Sequence, residues 1–349
     1  MKKIKVLIVD DSELIRQLLT EIISAAPDME VIATAEHPLE AREKIKQFNP
    51  DVLTLDIEMP KMDGITFLRN LMRLRPMPVV MISTLTHKGA PATLDALALG
   101  AVDYIAKPQG SAWDSLAAYS ALIQEKVRNA AQANLSAYGR ITENQPVLIA
   151  EQPYSRKKVI AVGSSTGGTE AIREVLQSIP ERAPPILIAQ HIPAAFSASL
   201  AQRLDSKCRI KVCEAEHGMK LEPGHAYLAP GDVHLELVLR NGLLYTSLSD
   251  AEKVSGHRPS VDVLFNSLAR VIGSNAVAVL LTGMGSDGAL GLKAISEKGG
   301  TTFAQDEQTS VVWGMPGSAV KLNAVQKILP IQKIAQGLLN ACVNKTSTE

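Results

Sequence analysis

Ile4-Lys5-Val6-Leu7-Ile8-Val9 is an almost unbroken aliphatic run that stops at Asp10-Asp11, and Leu14, Ile15, Leu18, Leu19 and Ile22 follow at helical spacing. A short buried-strand pattern, a charged stop and an amphipathic helix make one strand-helix unit. The unit repeats. Strands are expected at 31–35, 52–55, 79–82 and 102–105, and helices at 38–48, 65–74, 91–99 and 113–130. That alternation, sustained to residue 130, predicts a doubly wound parallel sheet. In such sheets ligands bind beyond the carboxyl ends of the strands.

Residues 132–157 lose this periodicity and are rich in Ser, Asn, Gln, Ala and Pro, so they read as a linker between domains at 1–131 and 158–349. The α/β pattern then resumes. Strands are expected at 159–162, 186–190 and 276–281, with helices at 169–178, 195–204 and 288–298. A β-rich insertion is expected between them, with strands near 211–215, 226–229, 234–240 and 243–248. Asn241-Gly242 marks a hairpin between the last two.

Composition narrows the function classes. The 349 residues carry 36 Lys plus Arg and 36 Asp plus Glu, and neither half is strongly basic. Nucleic acid is therefore not an expected partner, and a DNA-binding output module has no basic helix-turn-helix to rest on. Cys208, Cys213 and Cys342 form no CxxC pair, which points to a reducing compartment. The N-terminal apolar run is too short for a secretory signal, and no stretch approaches the length of a membrane span. A cytoplasmic location without membrane insertion is expected.

The first candidate site is acidic. Asp10 and Asp11 end the first strand and Asp56 ends the third, so three carboxylates converge on one sheet edge. Such a cluster needs a cation, and hard oxygen ligands suit Mg²⁺. Lys107, before Pro108, brings a fixed positive charge to the same edge, and Ser83 a hydroxyl. Together they suit phosphoryl transfer onto Asp56. Asp10-Asp11, the DxxMPxMDG stretch from Asp56 to Gly64, Ser83-Thr84 and Lys107-Pro108 resemble the receiver domain of two-component response regulators. The resemblance implies phosphorylation of Asp56 by a chemotaxis-type histidine kinase, with Mg²⁺ held by Asp11, Asp56 and the Glu58 carbonyl. It also implies that Asp10 acts partly through water, and that Ser83, Tyr104 and Lys107 report the phosphoryl group.

The second candidate site is nucleophilic. Gly163-Ser164-Ser165-Thr166-Gly167 fits G-x-S-x-G between a strand and a helix, the setting of a nucleophile elbow. Amides opening the helix can bind an oxyanion. A serine needs a base and an orienting group. His191 follows the strand at 186–190, and Asp287 lies in a Gly-rich loop after the strand at 276–281, so Ser, His and Asp share one edge if these strands are neighbours. Each residue also has a plainer reading: the Ser-Thr-Gly-Gly turn as a helix cap or phosphate cradle, His191 as a hydrogen-bonded strand end, Asp287 as an N-cap. No Walker lysine or GxGxxG supports a nucleotide site. His217, His225 and His234 lack metal-ligand spacing. His257-Arg258-Pro259-Ser260 either lines a cleft or caps a helix.

GSSTGGTEAI, AQHIPAAFSASLAQRL, PGHAYLAPGDVHLEL, HRPSVDVLF and LLTGMGSDGALGL, spread in order over residues 158–343, resemble the catalytic domain of the chemotaxis protein-glutamate methylesterases, the CheB family. That resemblance implies Ser165 as nucleophile, His191 as general base and Asp287 as its orienter, with the Met284 amide and Thr166 forming the oxyanion hole. Ser164 stands where many relatives carry alanine, which leaves two adjacent serines to choose between; the glycine spacing favours Ser165. The implied substrates are glutamyl methyl esters, and glutamine amides, on methyl-accepting chemoreceptors, hydrolysed without a cofactor. The unphosphorylated receiver is expected to cover the active-site mouth. The expected fold is thus two doubly wound α/β domains, an N-terminal flavodoxin-like receiver and a C-terminal Rossmann-like methylesterase domain with a β-hairpin insertion. A noncatalytic docking protein is the competing reading.

Overall fold

The computed structural model describes residues 2–60, 62–83, 89–107, 116–137 and 148–344. Thr84, Pro108 and the expected helix start at 113 lie outside them. The chain divides into two compact units, Met1–Leu135 and Ser136–Glu349.

The first unit holds β1 (Ile4–Val9), β2 (Met29–Ala35), β3 (Val52–Asp56), β4 (Val79–Ser83) and β5 (Asp103–Ala106) in the order β2-β1-β3-β4-β5. Every pair is parallel. Helices α1 (Glu13–Ser24), α2 (Pro38–Phe48), α3 (Gly64–Leu74), α4 (Ala90–Ala98) and α5 (Leu116–Ala131) connect and follow the strands. Val6 to Val9 and Val79 to Ile82 are buried, as strands covered on both faces must be, and this is why they read as continuous apolar runs. Side-chain caps set helix starts: Ser12 accepts from the Ile15 amide, and Asp63 from that of Thr66 at 2.8 Å.

The second unit is built on β6 (Val159–Ser164), β7 (Ile186–Gln190), β8 (Lys211–Glu214), β9 (His225–Leu228), β12 (Ala276–Leu280), β13 (Thr301–Gln305) and β14 (Lys327–Leu329). They form one parallel sheet in the order β14-β13-β12-β6-β7-β9-β8. Its helices are α6 (Gly168–Gln177), α7 (Ala194–Asp205), α8 (Val261–Val271), α9 (Ala289–Glu297), α10 (Met315–Lys321) and α11 (Ile331–Cys342). The chain leaves β6 for β7 on one side and returns to β12 on the other. The strand order therefore reverses at β6, where an open parallel sheet has its binding crevice.

One expectation needs correction. Of the four strands assigned to a β-rich insertion, β8 and β9 belong to the main sheet. Only β10 (His234–Arg240) and β11 (Leu243–Ser249) stand apart, as an antiparallel hairpin. Asn241 and Gly242 at its tip both have positive φ, as the two-residue turn demands. The region from residue 301 onward, unassigned from sequence, supplies two more strands and two helices. Thr301-Thr302 opens β13 and β14 has only three residues, so neither shows a usable hydrophobic period.

Residues 149–155, within the expected linker, are tied to the second unit. The Ser155 amide donates to Cys342 O at 2.8 Å, and the Ile149 amide to Ser178 O at 3.3 Å. Among the described residues no helix is long and apolar enough to cross a membrane.

Candidate active sites

In the first unit, β1 and β3 are neighbours, so their carboxyl ends deliver Asp10, Asp11 and Asp56 to one place. Each offers an oxygen within 4.8 Å of the others. Asp10 and Asp56 are buried and Asp11 is exposed. Lys107 Nζ lies 3.0 Å from Asp10 Oδ2 and 2.8 Å from Asp56 Oδ2. These are close ion pairs that still leave both oxygens without a well-aligned hydrogen bond. Burial pushes the Asp56 carboxyl up to about 6; the charge of Asp10 adds to this and Lys107 opposes it. Burial likewise raises Asp10 against the pull of Lys107. One lysine does not balance three carboxylates, and two under-satisfied buried oxygens beside an exposed third suit a hard divalent cation. A cavity of about 630 Å³ opens here, lined by Asp11, Asp56, Glu58 and Ser83 among others.

Ser83 Oγ is 2.9 Å from Thr93 Oγ1 on α4, and Thr93 Oγ1 donates to Gly89 O. Lys126 Nζ sits 5.1 Å above the centre of the Tyr104 ring. Two residues that sequence reasoning missed brace the pocket. Arg16 donates to the carbonyls of Asp10 and Asp11 at 2.8 and 2.9 Å, fixing the acidic loop. Tyr119 donates to Ala106 O at 2.7 Å, immediately before Lys107. Neither carries a local signal, because each acts from the next helix.

The raised Asp56 has a consequence for stability. With an unfolded-state value of 3.8 and a folded one of about 6, the native state holds the proton more tightly. Stability is then lost as pH rises through this window, by up to about 3 kcal/mol. Asp56→Asn, which keeps no charge, is expected to raise the melting temperature of the first unit above wild type at pH 8 in EDTA, with the gap closing at pH 4 or with Mg²⁺. A gap that does not change between pH 4 and pH 8 would contradict the assignment.

In the second unit, β12, β6 and β7 are adjacent and parallel, so the loops bearing Asp287, Ser165 and His191 emerge side by side. The Ser165 amide donates to Thr282 O at 3.1 Å, tying its loop to the one after β12. Gly167 begins α6 with φ +74°, a conformation that L side chains rarely adopt. Gly283 approaches so closely that a Cβ there would lie 2.8 Å from Ser165 Cβ. Met284 follows it, half-buried, and Thr166 lies at the start of the α6 turn.

The two adjacent serines differ sharply. Ser164 is the last residue of β6, fully buried, and its Oγ donates to Gln190 Oε1 at 2.6 Å. Ser165 is half-buried on the loop. Gln190, at the end of β7, returns its Nε2 hydrogens to the carbonyls of Ser165 at 2.9 Å and His191 at 3.1 Å. One buried amide thus clamps the serine loop to the histidine loop.

His191 Nε2 is 2.8 Å from Asp287 Oδ2. The other nitrogen, Nδ1, is buried and has no hydrogen-bond partner. Asp287 also accepts from the amides of Val261 (2.7 Å) and Asp262 (3.1 Å) and from Ser260 Oγ (2.8 Å), at the N-terminus of α8. Burial alone would raise this carboxyl; the His191 contact, the α8 amide and Ser260 outweigh it and bring it down to about 2. Burial and the facing Asp287 charge push its neighbour Asp262 up to about 6. Ser260 is the N-cap of α8, so the cap reading of 257–260 is realised at Ser260. Its amide donates to Nδ1 of buried His234, whose Nε2 donates to Glu252 O. His234 therefore holds the cap and is not a free ligand.

Residues 160–338 match the CheB methylesterase family and residues 6–113 the response regulator receiver domain. The chain belongs to the CheB methylesterase family. Named protein-glutamate methylesterase/protein-glutamine glutaminase, relatives from Yersinia pestis and Bordetella parapertussis are 52% and 54% identical to it, over 97% of each chain. The crystal structure of the Thermotoga maritima CheB methylesterase catalytic domain is 40% identical, covers 52% of this chain and 97% of its own, and superposes with a TM-score of 0.52. This CheB-family chain thus carries both the receiver and the catalytic parts.

Proposed function

We propose that this protein is a phosphorylation-activated protein-glutamate methylesterase of chemotactic adaptation, acting in the cytoplasm on methyl-accepting chemoreceptors. The observation that carries the reading is the His191–Asp287 contact of 2.8 Å on the strand-end loop beside that of Ser165. Ser165 Oγ attacks the glutamyl ester carbonyl while His191 Nδ1 takes its proton. The Met284 amide, with Thr166, stabilises the oxyanion. The tetrahedral intermediate collapses as the imidazolium protonates the departing methoxide to methanol. Water, deprotonated by the same imidazole, then attacks the acyl-enzyme and releases free glutamate and Ser165. Asp287 keeps Nε2 protonated and stabilises the imidazolium. A glutamine amide presents the same carbonyl, with ammonia as leaving group, so deamidation follows by the same steps.

Asp56 is the phosphoacceptor, served by a chemotaxis histidine kinase. Asp11, Asp56 and the Glu58 carbonyl would hold Mg²⁺, with Asp10 acting partly through water, and the bound ion would supply positive charge against the phosphoryl oxygens. Lys107 neutralises a phosphoryl oxygen, and Ser83 exchanges its bond to Thr93 for another. Tyr104 reports the change, which shifts the population of active protein. Methanol release from methylated receptor membranes tests this directly. Acetyl phosphate with Mg²⁺ is expected to raise the rate of the wild type and leave Asp56→Asn at its basal rate; equal activation of that variant would defeat the regulatory part.

A further inference from the structure

The ring of His257 lies flat on that of His191, with centroids 3.7 Å apart and planes inclined by 12°. A single hydrogen bond at Nε2 fixes one edge of the His191 ring but not the tilt of its plane. At the opposite edge Nδ1 has no hydrogen-bond partner to complete the constraint. A stacked neighbour supplies what is missing, because sliding or tilting either ring loses contact over its whole face.

His257 is itself well anchored. Its amide donates to Val254 O at 2.9 Å and its carbonyl accepts from the Val254 amide at 3.1 Å, closing a tight turn. The next residue, Arg258, donates to the carbonyls of Asp250 and Ala251 and accepts from the Asp232 amide. Three residues on, Ser260 and the first amides of α8 hold Asp287. One short segment, 257–262, therefore contacts His191 through its face and holds the carboxylate at its edge.

We propose that His257 is a positioning residue. Its stacked ring sets the plane of His191 so that Nδ1 aims at Ser165 Oγ. The role requires an aromatic face and not a titratable nitrogen. This rests on the reading of His191 as the base, which His191→Ala tests separately.

The experiment uses the full-length chain and two readouts, steady-state methanol release from methylated receptor membranes and the rate of covalent labelling of Ser165 by a fluorophosphonate. His257→Ala is expected to lower kcat and labelling in parallel, roughly 10- to 100-fold, with KM for receptors unchanged, the scale of a misplaced catalytic group. His257→Phe, which keeps a stacked face, is expected to recover to within about threefold of wild type on both readouts. Labelling and kcat of His257→Ala near wild-type values would overturn the proposal. So would equal impairment of the Phe and Ala variants, which would mean that the imidazole nitrogens matter. A raised KM with unchanged labelling would make His257 a substrate contact instead. If His191→Ala itself labels normally, the base assignment fails and not merely the stacking.

Discussion

Alanine in place of Ser165 is expected to lower methanol release by roughly 10⁴- to 10⁶-fold, the loss seen when a nucleophile is removed from a unit that acts together. The same substitution at Ser164 is expected to leave most of the activity. The serines are adjacent, so the contrast is a sharp test of geometry. Ser164 Oγ is buried within the sheet and spends its proton on Gln190 Oε1. It cannot meet a substrate carbonyl without dismantling the clamp between the two loops. Ser165 sits one residue further, on the turn that Gly167 and Gly283 make possible. Ser164→Ala leaves Gln190 Oε1 without its donor, a cost of about 1–2 kcal/mol of stability measurable by denaturant unfolding. Undiminished methanol release by Ser165→Ala, or an equal collapse in Ser164→Ala, would reverse the assignment.

Asp287→Asn is expected to reduce kcat by about 10⁴-fold with little change in shape. All four partners of the carboxylate are donors: His191 Nε2–H and the Val261 amide on one oxygen, Ser260 Oγ–H and the Asp262 amide on the other. An asparagine has a single acceptor oxygen. If its oxygen stays toward Ser260 and Asp262, its NH₂ faces His191, which must then offer a bare Nε2 and carry its proton on Nδ1. A protonated Nδ1 cannot take the Ser165 proton. If the amide is reversed, the oxygen serves His191 but two N–H donors confront the Ser260 hydroxyl and the α8 amide. Both arrangements fail, by tautomer or by an unsatisfied buried donor. Kinetics on receptor membranes, with the thermal unfolding midpoint as control, decide the matter. An Asn variant within tenfold of wild type would show that Asp287 does not set the state of His191.

Much of this architecture is legible in local sequence. Runs such as Val6 to Val9 and Val159 to Val162, each followed by helical periodicity, announce strand-helix units, and Asn241-Gly242 announces its hairpin. What escaped was whatever lacked a local period or depended on a remote partner. β8 and β9 look like insertion strands because their sequences do not say which sheet they join; pairing with β7 decides it. Gln190 reads as the polar end of a strand, and its clamp on Ser164 and Ser165 exists only because β6 and β7 lie side by side. Arg16, Tyr119 and His234 act through carbonyls, an amide and loops contributed by other elements.

Sequence by itself determined that Asp10, Asp11, Asp56 and Lys107 in one domain, and Ser165, His191 and Asp287 in the other, all follow strands. Strand direction and helix placement arise from periodicities spanning a few residues, so a parallel sheet with reactive groups at its carboxyl edge was readable. Only the tertiary structure decided that β12, β6 and β7 are neighbours, that Asp287 meets His191 at Nε2, and that Ser164 is fully buried on Gln190 while Ser165 is half-buried on the loop beyond it. Those choices depend on hydrogen bonds and packing between residues 26 to 96 positions apart. No local pattern encodes which of the donors and acceptors so far along the chain will meet.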